Sequence, residues 1–218
     1  IAALEAQGPD VLRDEGLARC ERIAGLVRSR PGTELYDYQR EAIEAMLGGR
    51  DVLTILPTSA GKSFIFQLPA LALPGVTVVV SPLVALMTDQ ALGLNRSIGG
   101  AVRALVAPMR ESNSWTGKTE VWEQLTGVRD RGIRVVYVSP ERLSQRQFQD
   151  WIWTGVERGI VRRIAVDEAH TFATWGDDFR PAFLRAERFL ERLRAHPNRP
   201  CVLALTATAT PTVRPRLR

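Results

Sequence analysis

The sequence predicts an α/β fold in which a parallel sheet lies between two layers of helices. Two observations carry that expectation. Six short runs rich in β-branched residues, Val52 to Leu56, Val76 to Val80, Val102 to Val106, Ile133 to Val138, Arg163 to Val166 and Cys201 to Leu205, are separated by helix-length segments. Strands that are apolar on both faces and alternate with helices build parallel sheets covered on both sides. The distinctive turns of the chain directly follow those runs, at 57–63, 81–90, 139–142, 167–170 and 206–210. Carboxyl ends of parallel strands are where such sheets bind ligands.

With 218 residues, 45% of them hydrophobic, the chain is long enough for a full core. Its apolar runs are strand-sized, so none spans a membrane. The opening Ile1-Ala2-Ala3-Leu4-Glu5 lacks a basic leader and an apolar signal core. A cytoplasmic location is the default expectation. Cys20 and Cys201 have no C-x-x-C spacing, which excludes a zinc motif and a disulfide framework, and both read as buried small hydrophobes. A net charge of +5, from 29 basic and 24 acidic residues, mildly favours a polyanionic partner. The chain starts without Met and stops at Arg214-Pro215-Arg216-Leu217-Arg218, in the middle of a helix-like stretch, so it reads as a piece of something longer.

Residues 1–32 form a helical extension. Cys20, Ile23, Ala24 and Val27 recur at helical spacing between Arg and Glu residues, which predicts one or two amphipathic helices. Arg30-Pro31-Gly32-Thr33 breaks the pattern and opens the main domain, 33–218. Thr33 or Asp37 is placed to cap a helix through Gln39, Ile43, Met46 and Leu47, which Gly48-Gly49 ends. Pro69 is expected to kink the helix after the first strand. Residues 107–120 are a polar loop before a helix through Trp122 and Leu125. Trp115, Trp122, Trp151 and Trp153 read as packing residues.

The chemistry starts at Leu56-Pro57-Thr58-Ser59-Ala60-Gly61-Lys62-Ser63. An apolar strand feeding a turn of small residues and then a helix aims successive backbone N–H groups at one point, where a phosphate can sit. Lys62 then meets the β/γ-phosphates and Ser63 supplies one Mg²⁺ ligand. Leu56 stands where the G-x-x-x-x-G-K-[ST] pattern has its first Gly. Asp167-Glu168-Ala169-His170 follows the strand Ile164-Ala165-Val166. An Asp at that position reaches Mg²⁺ directly or through water, and the adjacent Glu polarises an attacking water. Ser81 to Gln90 and Ser139 to Arg142 start helices at strand ends, where Ser hydroxyls and N-terminal N–H groups suit a backbone phosphate and serve equally as helix caps.

Together, 57–63, Asp167-Glu168-Ala169-His170 and Thr206-Ala207-Thr208 resemble motifs I, II and III of a superfamily 2 helicase. Ser81-Pro82-Leu83-Val84-Ala85-Leu86-Met87-Thr88-Asp89-Gln90, Ser139-Pro140-Glu141-Arg142 and Trp175-Gly176-Asp177-Asp178-Phe179-Arg180-Pro181 narrow the resemblance to the RecQ family. It covers roughly residues 35 to 213 and implies a RecA-like P-loop NTPase domain, the first motor lobe of an ATP-dependent DNA helicase.

By that resemblance Lys62, Asp167, Glu168 and His170 are catalytic, and Pro57, Thr58, Ser59, Ala60, Gly61, Lys62 and Ser63 bind ATP. Ser63 and Asp167 hold Mg²⁺. Gln39 reads adenine, since a side-chain amide can donate and accept at one base edge. RecQ proteins carry Phe-Arg where this chain has Leu35-Tyr36, leaving Tyr36 or Tyr38 as the stacking ring. Ser81, Pro82, Ser139 and Arg142 contact nucleic acid, together with Trp175, Phe179 and Arg180, a combination that stacks unpaired bases and meets phosphate. Thr206 and Thr208 couple the two sites, and Asp177 replaces a family histidine in the aromatic loop. The resemblance further implies 3′→5′ translocation on single-stranded DNA and a second RecA-like lobe across the cleft. The same residues also suit a duplex translocase that does not separate strands, or a nucleotide-gated module that binds ATP without cleaving it, although Glu168 argues against the latter.

Overall fold

A computed structural model describes residues 9–27, 34–97, 103–106, 133–174 and 181–208. Within them run α1 (Pro9–Val27), α2 (Asp37–Leu47), β1 (Val52–Ile55), α3 (Lys62–Ala72), β2 (Val76–Val80), α4 (Val84–Ser97), β3 (Arg103–Val106), β4 (Ile133–Val138), α5 (Pro140–Leu143), α6 (Arg146–Glu157), β5 (Val161–Val166), α7 (His170–Thr174), α8 (Pro181–Arg194) and β6 (Cys201–Thr206). The strands form one sheet in the order β1-β6-β5-β2-β4-β3, and each neighbouring pair is parallel. All six expected strands are present. β5 starts at Val161, before the expected Arg163, because Val161 already pairs with Val76. β6 runs on to Thr206, which pairs with Ile55.

Alternation along the strands divides the core between two faces. Val78, Val136 and Ile164 pack beneath Phe148 and Ile152 of α6 and Phe183 and Phe189 of α8. Val79, Val135, Ala165 and Leu203 face Met46 of α2, Ile65 and Phe66 of α3, and Met87 and Leu94 of α4. The result is the three-layer arrangement expected of strands that are apolar on both faces. Tyr137 is fully buried, and its hydroxyl accepts a bond from Gln67 Nε2 at 3.0 Å. Burial raises its pKa above the ordinary phenol value.

Among the described residues the N-terminal segment forms α1, whose Cys20 and Ala24 pack against Leu35, Ile43 and Leu68. The N-cap of α2 is Tyr36, not Asp37, and Thr33 lies outside the described residues. The Tyr36 carbonyl accepts from the N–H groups of Gln39 and Arg40 at 2.8 and 3.0 Å, which leaves Asp37 inside the first turn, where its charge suits the helix dipole. Gly48 caps the other end, and Gly49 follows at φ +73°. α3 continues through Pro69 and ends at Ala72. Trp151 is buried and packs on Phe148 with ring centroids 5.2 Å apart. The Trp153 ring meets His196 edge-on at 4.9 Å. Trp115, Trp122 and the 107–120 loop lie outside the described residues.

Cys201 departs from expectation. Cys20 is fully buried, whereas Cys201 is only half-buried, since it opens β6 at the lower end of the sheet and donates Sγ–H to the Arg50 carbonyl at 3.1 Å. Burial pushes both thiols up to about 12, so both stay protonated and unreactive at neutral pH. Among the described residues no helix is long and apolar enough to cross a membrane.

Candidate nucleotide site at the carboxyl end of the sheet

Backbone bonds beyond the strand ends hold the chemical segments side by side. Leu56 N–H donates to the Thr206 carbonyl at 3.0 Å, Asp167 N–H to Val80 at 2.8 Å, Ser81 N–H to Val138 at 3.0 Å and Ala169 N–H to Leu205 at 2.9 Å. The turn after β1 therefore lies beside the start of α7, as the order β1-β6-β5 requires.

The turn needs unusual backbone. Ser59 and Gly61 both have φ +71°, a left-handed conformation that Gly adopts at little cost and Ser does not. Gly61 is the N-cap of α3, so the first N–H groups of that helix open into the turn. The turn is also tied from outside. Tyr38 donates its hydroxyl to the Ala60 carbonyl at 2.7 Å, and Gln39 donates Nε2–H to the Gly61 carbonyl at 3.0 Å.

Gln39 is fully buried, and its Oε1 accepts from Tyr36 N–H at 3.2 Å. Both ends of its amide thus contact the protein backbone, at Gly61 and Tyr36. The Tyr36 ring is 55% exposed and stacks on Tyr38 at 5.4 Å between centroids, so an aromatic surface stands beside the turn.

Lys62 is 9% exposed and donates Nζ–H to the Leu56 carbonyl at 3.2 Å. The same ammonium lies 3.9 Å from Glu168 Oε1. Glu168 itself has φ +50°, a sparsely populated conformation that survives only where its surroundings fix it. They do so here. Its N–H donates to Asp167 Oδ1 at 3.1 Å, and its carbonyl accepts from Thr171 N–H at 2.9 Å and from the Thr171 hydroxyl at 2.8 Å.

Asp167 is 5% exposed. Burial raises its pKa, the Glu168 charge adds to that, and the Glu168 N–H and Lys62 pull back. A carboxylate so placed gains from a nearby cation. With the Ser63 hydroxyl it forms a hard oxygen donor set, which suits Mg²⁺. No group of three or more His, Cys, Asp or Glu side chains among the described residues could hold a metal by itself.

His170 Nδ1 lies 3.2 Å from Glu168 Oε2 and 3.0 Å from Thr206 Oγ1. Thr206 donates its hydroxyl proton to the Thr208 carbonyl at 2.8 Å and accepts from Thr208 N–H at 3.2 Å. With that proton committed, the His170 contact assigns a hydrogen to Nδ1. Glu168, His170, Thr206 and Thr208 therefore form one continuous network.

The segments expected at nucleic acid divide. Ser139 spends its hydroxyl capping α5, accepting from Arg142 N–H at 3.2 Å. The Arg142 guanidinium bonds Gln145 Oε1 and lies 5.5 Å over the Phe148 ring, and burial lowers its pKa. Ser81 is 2% exposed, and its Oγ has no hydrogen-bond partner among the described residues. Pro82 is half-buried and precedes a first turn of α4 in which Leu83, Val84 and Leu86 are exposed. Trp175, Asp177, Phe179 and Arg180 lie outside the described residues.

Two contacts were not legible in the sequence. The Tyr38 bond to Ala60 has no motif to signal it. Gln90 donates Nε2–H to the Ser63 hydroxyl at 3.3 Å, which ties α4 to the start of α3 across a long separation in sequence.

Comparisons with known proteins agree with this geometry. The DEAD/DEAH box helicase family model matches residues 36–215. The chain is 40% identical over 176 residues to ATP-dependent DNA helicase Q-like 5 of Arabidopsis thaliana, covering 80% of this chain and 18% of that protein. It is 38% identical over 176 residues to ATP-dependent DNA helicase RecQ of Bacillus subtilis (strain 168), covering 80% and 27%. Among solved structures, the DUF1998 helicase MrfA bound to DNA and AMPPNP superposes with a TM-score of 0.68 at 21% identity, over 90% of this chain and 27% of that one, a likeness of fold. The chain thus spans roughly a fifth to a quarter of the length of these curated relatives. Its parallel sheet, its phosphate turn and its Asp-Glu-Ala-His segment are those of the DEAD/DEAH box helicase family, to which the chain belongs as a RecQ-like first motor lobe.

Proposed function

We propose that this chain is the ATP-binding lobe of a RecQ-type DNA helicase, which couples ATP hydrolysis to 3′→5′ movement on single-stranded DNA and to duplex unwinding. The observation that carries the reading is the meeting of Lys62 with Glu168 at 3.9 Å beside the N-terminus of α3. A phosphate-binding cation and a carboxylate able to orient water then share one cleft.

In this mechanism the N–H groups of the 57–63 turn and Lys62 cradle the phosphates. Ser63 and Asp167 hold Mg²⁺, which when bound neutralises charge on the phosphate oxygens. Glu168 orients the attacking water and accepts its proton. Displacing Lys62 from the Leu56 carbonyl and from Glu168 is the local change that nucleotide binding requires. The exposed Tyr36 ring offers a stacking surface for the base, while Gln39 acts first by holding Gly61 in place. His170, Thr206 and Thr208 carry the state of Glu168 to the end of β6.

The nucleic-acid surface comprises the segment after β2, with Ser81 and Pro82, the segment after β4, with Ser139 and Arg142, and the loop bearing Trp175, Phe179 and Arg180. Residues 33–218 form the motor domain and 1–32 an extension, whose helix α1 packs on α2 and α3. The arginine finger comes from a second RecA-like lobe across the cleft. The test is an unwinding assay of the full-length protein on forked DNA, beside ATPase stimulation by single and double strands. Unwinding with preferential single-strand stimulation is expected. Duplex stimulation without strand separation would instead assign a translocase.

A further inference from the structure

At the opposite end of the sheet from the phosphate turn, α1, the turn before β2 and the segments leading into β5 and β6 line a cavity of about 740 Å³. That lies within the roughly 300–1,000 Å³ typical of small-molecule sites. Arg163 of β5 lines it and is itself 6% exposed. Its Nε–H donates to Thr77 Oγ1 at 3.0 Å, and Nη2 donates to the carbonyls of Pro74 and Gly75 at 2.9 and 3.3 Å. These bonds fix the guanidinium without neutralising it, and no carboxylate among the described residues pairs with it. Burial lowers its pKa to about 10, with Arg162 and Arg134 adding to the effect. It remains a cation at neutral pH.

The remaining charged groups of the lining, Glu15, Arg19, Glu157, Arg158, Arg162 and Arg199, are two acids against four arginines, so the lining is net cationic. Glu15 pairs with Arg19 at 3.7 Å, and Glu157 accepts the Trp153 indole N–H at 2.9 Å. Arg199 is held by Asp51 at 2.9 Å. Arg162 adds a further cation at the exposed rim. A buried cation without a counter-charge is costly unless an anion joins it. Beside it, Met46, Leu47, Leu73 and Pro74 provide an apolar wall.

We propose that this cavity binds a small organic anion, an apolar body carrying a phosphate or carboxylate head that pairs with Arg163. Charge-assisted bonds from the guanidinium donors not spent on Thr77, Pro74 and Gly75 fix the head, and the wall buries the body. The site lies at the amino ends of the strands, remote from the ATP cleft, and does not depend on the helicase reading.

The test is calorimetric titration of the full-length protein with 1-naphthyl phosphate and 1-naphthoate, with 1-naphthol as the neutral control. Saturable binding of at least one anion is expected, at least about tenfold tighter than 1-naphthol. The comparison between the two anions identifies the preferred head. Binding must persist in Lys62→Ala, which disables the phosphate turn. It must weaken at least about tenfold in Arg162→Glu, which sets a competing carboxylate at an exposed rim position where the fold tolerates it. Arg163→Met, checked for folding by circular dichroism, should lose the anion preference. Absence of saturable binding, equal binding of 1-naphthol, loss of binding in Lys62→Ala, or indifference to Arg162→Glu would each overturn the proposal.

Discussion

Gln90 and Ser63 are joined by a hydrogen bond of 3.3 Å from the Gln90 amide to the Ser63 hydroxyl. The bond runs from α4, whose first turn is exposed and apolar at Leu83, Val84 and Leu86, to the hydroxyl proposed to hold Mg²⁺. A shift of α4 therefore changes the bond to that hydroxyl.

Removing that tie should loosen the metal site while leaving the phosphate turn intact. Gln90→Ala is expected to raise several-fold the Mg²⁺ concentration needed for tight nucleotide binding, with little change in metal-free binding. A fluorescent ATP analogue titrated at a series of Mg²⁺ concentrations measures this. Identical Mg²⁺ curves for variant and wild type would reject the role of Gln90.

Glu168→Gln keeps the shape of the side chain and removes its charge, so the longer protein should bind ATP and lose turnover. A loss of about 10²-fold or more is expected for a group that accepts the water proton. Single-turnover ATP hydrolysis is the readout, and unchanged turnover would sink the mechanism. The 218-residue chain, tested alone, should show little or no DNA-stimulated ATPase, because the finger that completes the cleft is proposed to come from another lobe.

Gln39→Ala would leave the Gly61 carbonyl and the Tyr36 N–H without their side-chain partners. The Gly61 carbonyl still accepts from Phe64 N–H, so the variant loses two part-buried bonds worth about 0.5–1.5 kcal/mol each, which urea unfolding reads. Tyr38→Phe removes only the bond to Ala60 and should cost about 0.5–1.5 kcal/mol. If Gln39→Ala weakened ATP binding with no loss of stability, adenine contact would be its main role.

The Asp167 pKa is raised by burial first and by the Glu168 charge second. The folded protein thus holds this proton more tightly than the unfolded chain. The resulting stability is fully present below the unfolded value of about 3.9 and is lost as pH rises through the folded value. Asp167→Asn cannot ionise, so in the presence of a chelator it should raise Tm at about pH 7 and leave it unchanged below about pH 3.5. Mg²⁺ with nucleotide should stabilise the wild type and not the variant. Differential scanning calorimetry across pH reads both effects.

Much of the site was legible because each motif is local. A strand of β-branched residues ending in small residues, or in Asp-Glu, specifies both its own conformation and its position at a strand end. Val52 to Ser63 and Ile164 to His170 carry that information within a few residues, and strand alternation then fixes which faces are buried. The strand bounds shifted by only one or two residues, with β1 ending at Ile55 and β5 starting at Val161, where it pairs with Val76.

What the sequence determined by itself was the parallel α/β architecture, the phosphate turn and the acidic pair, since periodicity and turn chemistry act over short stretches. Only the tertiary structure decided how the side chains are spent. Gln39 turned inward to Gly61, Gln90 reached Ser63, and Arg163 was buried against Thr77 and the Pro74 and Gly75 carbonyls. Each of these depends on which segments lie side by side, through β1 against β6 and β5 against β2. Hydrogen-bond partners are chosen by proximity in space, and a residue's neighbours in sequence do not encode it.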